Sequence, residues 1–164
     1  MEYLKKSNKK IYNLFRRYFS NILIFFNIFF FLSLLVSKKI KASEIKLVIS
    51  GQGNQTIINE SFYKGPSQIY VNDILREDCK YFCQLSDNKS NITIIFDEDI
   101  TSCEKMFYGL DNLIEIDLSN FDNSKVTTMK SMFRECKNLI NINFGEINTS
   151  SVQDMSYYLN NVYI

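Results

Sequence analysis

The chain has 164 residues, enough for one domain and a little more. It contains no His, which excludes His-based triads, HExxH zinc sites and Cys/His zinc fingers. The formal net charge of +1 hides a split: residues 1–42 carry nine Lys/Arg and one acid (Glu2), whereas residues 43–164 carry ten basic residues and seventeen acids. A net-acidic body argues against a nucleic-acid partner, which would need a basic face.

Residues 1–17 are basic and polar, with Lys5, Lys6, Lys9, Lys10, Arg16 and Arg17. Residues 18–37 are dominated by the apolar run Ile22–Val36, and Lys38, Lys39 and Lys41 follow at once. This length approaches the roughly 20 residues a helix needs to cross a bilayer. Two readings stay open. An uncleaved signal anchor would keep residues 1–17 cytoplasmic, since more basic residues precede the apolar core than follow it. A signal peptide cleaved near Ala42 would release the body instead. Both predict an extracytoplasmic body, in a single-pass membrane protein or a secreted one.

Residues 43–99 read as an N-terminal β cap. Glu44–Ser50 and Gln55–Asn59 are short strands around a Gly51–Asn54 hairpin signal. Gln68–Asn72 is a further strand, with Asn72-Asp73 as a tight turn into Ile74-Leu75. Asp78–Asn91 reads as an exposed loop or short helix, and Asn91–Phe96 as the strand that lies beside Ile114–Leu118. Five N-x-[ST] sequons, at Asn54, Asn59, Asn88, Asn91 and Asn148, mark possible glycosylation sites in an exported chain. The four cysteines, Cys79, Cys83, Cys103 and Cys136, allow three disulfide connectivities. Near neighbours Cys79 and Cys83 are the preferred pair, while Cys103 and Cys136 sit at core positions of a repeat. A zinc site would need all four to converge.

Residues 100–164 contain a repeat with a period of 26. Met106–Ser131 and Met132–Tyr157 share nine identical positions, among them Met106/Met132, Phe107/Phe133, Leu113/Leu139 and Val126/Val152. Ile114, Ile116 and Leu118 alternate with Glu115 and Asp117, and Ile140, Ile142 and Phe144 with Asn141 and Asn143, as in half-buried strands. Met129, Met132, Phe133 and Cys136 fall at i, i+3, i+4 and i+7; so do Cys103, Met106, Phe107 and Leu110, and Met155, Tyr158, Leu159 and Val162. Ser102, Thr128 and Asp154 precede these stripes as candidate N-caps, which predicts three short helices. The pattern gives two full units and a partial third. The predicted fold is an α/β repeat: a short solenoid like a leucine-rich repeat, with parallel strands on one side, helices on the other, a β cap before it and one hydrophobic membrane helix at the start. Leu113, Ile116, Leu118 and Phe121 match the leucine-rich-repeat core with an aromatic in the Asn slot, so an apolar stack of Phe121 and Ile147 is expected there instead of a polar ladder.

The Asn120–Cys136 cadence, N-F-D-x-S-x-V-T-x-M-x-x-M-F-x-x-C, resembles the BspA-type leucine-rich-repeat surface proteins and the related 26-residue mycoplasma-type surface-protein repeat. The resemblance covers residues 100–164 and implies surface exposure, adhesion and protein–protein contact without catalysis. It carries no catalytic or cofactor-binding residues. This chain has fewer repeats than is usual in that family, so a truncated or degenerate paralogue without independent function is the alternative expectation.

Candidate sites are few. Glu115, Asp117, Asn141 and Asn143 project from the predicted exposed sheet face, the surface on which repeat proteins take partners. They form the candidate face for an unknown protein or cell-surface ligand. Asp97, Glu98 and Asp99 could touch Ca²⁺, though a solvated charged turn accounts for them better. No metal, cofactor or catalytic constellation is expected.

Overall fold

The computed structural model describes residues 42–162. They form eight strands: β1 (Ser43–Ser50), β2 (Gly53–Thr56), β3 (Gln68–Val71), β4 (Ile74–Leu75), β5 (Phe82–Leu85), β6 (Lys89–Phe96), β7 (Leu113–Asp117) and β8 (Asn141–Asn143). No helix occurs among them, so the expected α/β class is corrected to all-β. The hydrophobic segment 18–37 and the basic residues 1–17 lie outside the described residues. Among the described residues no helix is long and apolar enough to cross a membrane, so the single-pass membrane assignment is withdrawn.

A six-stranded sheet runs in the order β4-β3-β6-β1-β7-β8, and β2 and β5 form a second, two-stranded sheet. Alternation places Ile45, Leu47 and Ile49 of β1 and Ile92, Ile94 and Phe96 of β6 in the core. The strand predicted from Asn91–Phe96 does not lie beside β7. Instead β1 inserts between them, antiparallel to both, and Leu47 stands opposite Ile92 on one side and Ile116 on the other. Two eight-residue strands with matched apolar faces pair along their whole length, which a short parallel pairing to β7 would forgo. Only β7 and β8 are parallel, with Glu115 opposite Asn141 and Asp117 opposite Asn143. The sheet is therefore mixed, not parallel.

The predicted Gly51–Asn54 hairpin is also corrected. Gly51 and Gly53 both take positive φ (99° and 81°) and lead the chain out of the main sheet, where β2 pairs with β5. Asn72 and Asp73 (φ 49° and 66°) make a tight turn between the antiparallel β3 and β4.

The three predicted helices are runs of consecutive turns. The Met106, Tyr108 and Leu110 amides donate to the carbonyls of Cys103, Lys105 and Phe107, three residues back. The intervening amides, of Cys103, Lys105, Phe107 and Gly109, donate to Thr128, Lys130, Met132 and Arg134, 25 positions on, in the next coil. The second coil repeats this: Met129, Ser131, Phe133 and Glu135 donate to Asp154, Ser156, Tyr158 and Asn160. Every second amide thus bonds within its coil and every other one between coils. A helix would direct all of them inward and leave the coils joined by side chains alone. Lys105, Gly109, Ser131, Glu135, Tyr157 and Asn161 take positive φ, as the third residue of a type II turn requires.

The predicted caps do bond as such residues bond, but they open turns. Ser102 Oγ accepts from the Glu104 amide (3.2 Å), Thr128 Oγ1 from Lys130 (3.2 Å) and Asp154 Oδ1 from Ser156 (2.8 Å). The apolar stripe still packs inward. Cys103, Met106, Phe107, Leu110, Met129, Met132, Phe133 and Cys136 are buried, and the Phe107 and Phe133 rings stack at 5.6 Å. With turns in place of helices, the helical leucine-rich-repeat assignment is not supported. Phe121 is buried at the Asn slot, and Ile147 packs partly buried against the same core. A polar bridge nevertheless exists two residues on. Buried Asn123 donates through Nδ2 to the Asn148 carbonyl (2.6 Å), and its Oδ1 accepts from the Asn148 amide (3.2 Å).

Candidate interaction face

The outer face of the six-stranded sheet carries the side chains that alternation turns away from the core. One cross-strand row runs Leu75, Tyr70, Thr93, Lys46, Asp117, Asn143, touching all six strands. A second runs Asn91, Val48, Glu115, Asn141. Lys46, Val48, Thr93, Glu115, Asp117 and Asn143 of these rows line a depression of about 450 Å³. Glu115, Asp117, Asn141 and Asn143 come together here on adjacent strands. Lys46, Thr93 and Tyr70, which the sequence reading did not connect to them, complete the face from the N-terminal region. Their signal was the polar partner positions within the alternating runs Glu44–Ser50 and Asn91–Phe96.

The charges on this face are locally paired. Lys89 Nζ lies 3.3 Å from Glu115 Oε1, and Lys46 Nζ lies 3.3 Å from Glu44 Oε1. Asp117 Oδ1 accepts from the Ser119 amide (2.8 Å) and from Asn143 Nδ2 (3.1 Å). The bonds from Ser119, helped by Asn143 and by the Lys46 charge, hold the Asp117 carboxyl below the ordinary range. The face therefore offers carboxylates and amides held by neighbouring groups.

The other candidates are dispersed. Asn54, Asn88, Asn91 and Asn148 are exposed, while half-buried Asn59 is committed: its Nδ2 donates to the Tyr108 carbonyl (2.8 Å) and its Oδ1 accepts from the Ser61 amide (2.9 Å). Cys79 and Cys83 form a disulfide with Cα atoms 4.7 Å apart. Cys103 and Cys136 are free and buried, and burial pushes both thiols up to about 12. The acidic turn at Asp97–Asp99 is tied to lysines: Lys64 pairs with Glu98 (2.8 Å) and Lys125 with Asp99 (2.5 Å). Among the described residues no group of His, Cys, Asp or Glu is arranged to hold a metal ion.

An all-β domain that ends in stacked 26-residue coils, with a polar sheet face open to solvent, defines a repeat-type module. The family described as Mycoplasma protein of unknown function, DUF285, matches residues 79–163, just over half of the chain, and the chain belongs to that family. No curated protein and no solved structure matches it.

Proposed function

We propose that the chain is a non-catalytic, extracytoplasmic protein-interaction module that binds through the outer face of its six-stranded sheet. The observation that carries this reading is the polar row from Tyr70 through Lys46 and Asp117 to Asn143, half-buried to exposed and covered by no element among the described residues. The Cys79–Cys83 disulfide supports an oxidising compartment. The likeness of Asn120–Cys136 to BspA-type surface repeats supports adhesion or protein contact as the use of that face. Non-catalytic use is supported by the chemistry of the nucleophiles: without His, the free thiols are Cys103 and Cys136, both buried and both protonated near neutral pH.

Those buried thiols make the test clean. Asn141→Cys in the full chain adds an accessible thiol on the face, and Glu60→Cys adds one at an exposed site away from it. Both are treated on intact cells with a membrane-impermeant, photoactivatable maleimide. Both variants should label, and only Asn141→Cys should give a discrete adduct on illumination, lost when Glu115→Lys is added. Labelling only after lysis would refute the extracytoplasmic placement. Identical adducts from both positions would refute the face.

A further inference from the structure

The two halves of the Cys79–Cys83 disulfide stand in different surroundings. Cys83 lies on β5 and is 1 % exposed, and the pairing of β5 with β2 sets it opposite Gln55. The chain just before it is held as well: the Tyr81 carbonyl accepts from the amides of Ile57 (2.9 Å) and Ile58 (3.3 Å). Cys79 is half-buried and lies outside any strand, between exposed Asp78 and exposed Lys80. It lines a depression of about 330 Å³, together with Pro66, Leu75 and Arg76. The Lys80 side chain reaches Gly65, beside Pro66 of this lining. A depression of this volume is the size of a small-molecule site. The bridge spans a sequence separation of only four. It therefore constrains the unfolded chain little, and opening it does not by itself break the pairing of β2 with β5.

We propose that Cys79 is a thiol-exchange site, at which a low-molecular-weight thiol entering this depression becomes attached to the chain. Exchange begins when a thiolate attacks one sulfur of a disulfide, so access chooses the sulfur. Cys79 is reached from the depression, whereas the core shields Cys83. The incoming thiol gives its proton to water, and its sulfur bonds to the Cys79 sulfur. The Cys79–Cys83 bond breaks, and its electron pair goes to the Cys83 sulfur. Cys83 then takes a proton from water and ends as a buried thiol. Cys103 and Cys136 already stand in that state in this core. One disulfide replaces another and one thiol replaces another, so no separate oxidant or reductant is needed. Arg76 and Lys80 set positive charge near the approaching thiolate. Asp78 offsets the first of these, pairing with Arg76 through both carboxylate oxygens (2.8 and 2.6 Å), which leaves Lys80 as the cation favouring an anionic thiol. The site is independent of the sheet face, so either assignment can fail without the other.

The test incubates the folded full chain with reduced glutathione, quenches with acid and alkylates the remaining thiols in urea before trypsin digestion. Cleavage after Arg76, Lys80 and Lys89 puts Cys79 and Cys83 on separate peptides, residues 77–80 and 81–89. Glutathione is expected on the first peptide and the alkyl group on the second, with no glutathione on Cys103 or Cys136. Leu75→Trp, which fills the depression, should slow adduct formation by roughly tenfold. Ile74→Trp, at an exposed neighbour outside the lining, should not. Because the freed Cys83 can close the bridge again, single variants give a second reading. Cys83→Ala and Cys79→Ala each leave one thiol of the pair, and both are treated with oxidised glutathione. Cys79 in the first should react at least about tenfold faster than Cys83 in the second. Adduct on Cys83 as often as on Cys79, equal rates in the two single variants, equal rates in Leu75→Trp and the parent, or no adduct on Cys79 in either assay until the chain is unfolded by urea would each overturn the proposal.

Discussion

The second and third coils carry the same pattern and have opposite fates. Met129 and Met155, Phe133 and Leu159, and Thr128 and Asp154 stand 26 residues apart in equivalent turns. In the second coil the apolar members are sealed between two neighbours. In the third, among the described residues, they have a neighbour on one side only, and their side chains reach solvent. The repeat pattern encodes how a coil turns, and burial comes from what is stacked on it. Stability should therefore be concentrated in the first two coils and fall toward Val162.

The largest effect that would test this contrast is a matched truncation. Phe133 stacks on Phe107 at 5.6 Å and meets Tyr158 edge-on at 5.4 Å, with no exposed surface. Phe133→Ala should cost about 3–5 kcal/mol in urea unfolding. Leu159→Ala, at the equivalent place, should cost less than about 1 kcal/mol, because much of its surface already faces water. Similar losses from both would show that the third coil is packed as firmly as the second.

Next in size is the polar bridge between the coils. Asn123→Ala would leave the half-buried backbone amide and carbonyl of Asn148 without their partner and should cost about 1–2 kcal/mol. Asn123→Asp keeps the acceptor for the Asn148 amide but sets a carboxylate oxygen against the Asn148 carbonyl, so it should be no better than Ala. Equal stability of Asn123→Asp and the parent would show that water replaces the donor at this site.

A pair of glycines separates conformation from crowding. Gly109 has φ +72° and open space where a Cβ would sit, so Gly109→Ala should cost about 1 kcal/mol from backbone conformation alone. Gly145 has φ +56°, and a Cβ there would lie 2.5 Å from Ser119 Cα. Gly145→Ala adds a clash with the preceding coil's backbone to the same conformational term, so it should cost about 1–3 kcal/mol more than Gly109→Ala. A smaller difference in chemical denaturation would mean that the loop after β8 yields without loss.

These contrasts also mark what was legible in the residues. The period of 26, the inward stripe through Met106, Phe107, Met132 and Phe133, and the alternating strands all express burial, and burial is what apolar spacing reports. The backbone of residues 103–110 was not legible. The i, i+3, i+4, i+7 pattern suits a helix, and it suits tandem turns whose alternate amides reach a neighbour 25 positions on. The positive-φ positions that separate the two hold Lys105, Ser131, Glu135 and Tyr157, none of them a usual marker of left-handed backbone. Gly109 and Asn161 were the residues that hinted at it. The insertion of β1 between β6 and β7 was hidden for a different reason: it joins segments about 70 residues apart, which no local pattern encodes. For the same reason Glu115, Asp117, Asn141 and Asn143 were visible as a face, while Lys46 and Thr93 were not.

The smallest expected effect is a pH dependence confined to the third coil's opening turn. Asp154 Oδ1 accepts from the Ser156 amide, and that bond lowers its carboxyl below the ordinary value. The folded state thus holds the carboxylate more firmly than the unfolded chain, whose Asp titrates near about 3.9. The contribution is present above about pH 4 and is lost as pH falls through the lower folded value. Thr128, at the equivalent place, makes the same turn with a hydroxyl that does not titrate. Asp154→Thr should therefore lose less stability than the parent between about pH 4 and pH 2. Asp117, held down by Ser119 and Asn143, should keep a residual acid slope in that variant, which Asp117→Asn would remove. Unfolding midpoints measured against pH for the parent, Asp154→Thr and the double variant separate the two carboxylates. Three parallel curves would mean that neither turn bond is stronger in the folded state than the water it replaces, and that the third coil's opening turn is held by its Gln153 and Thr128 contacts to the second coil instead.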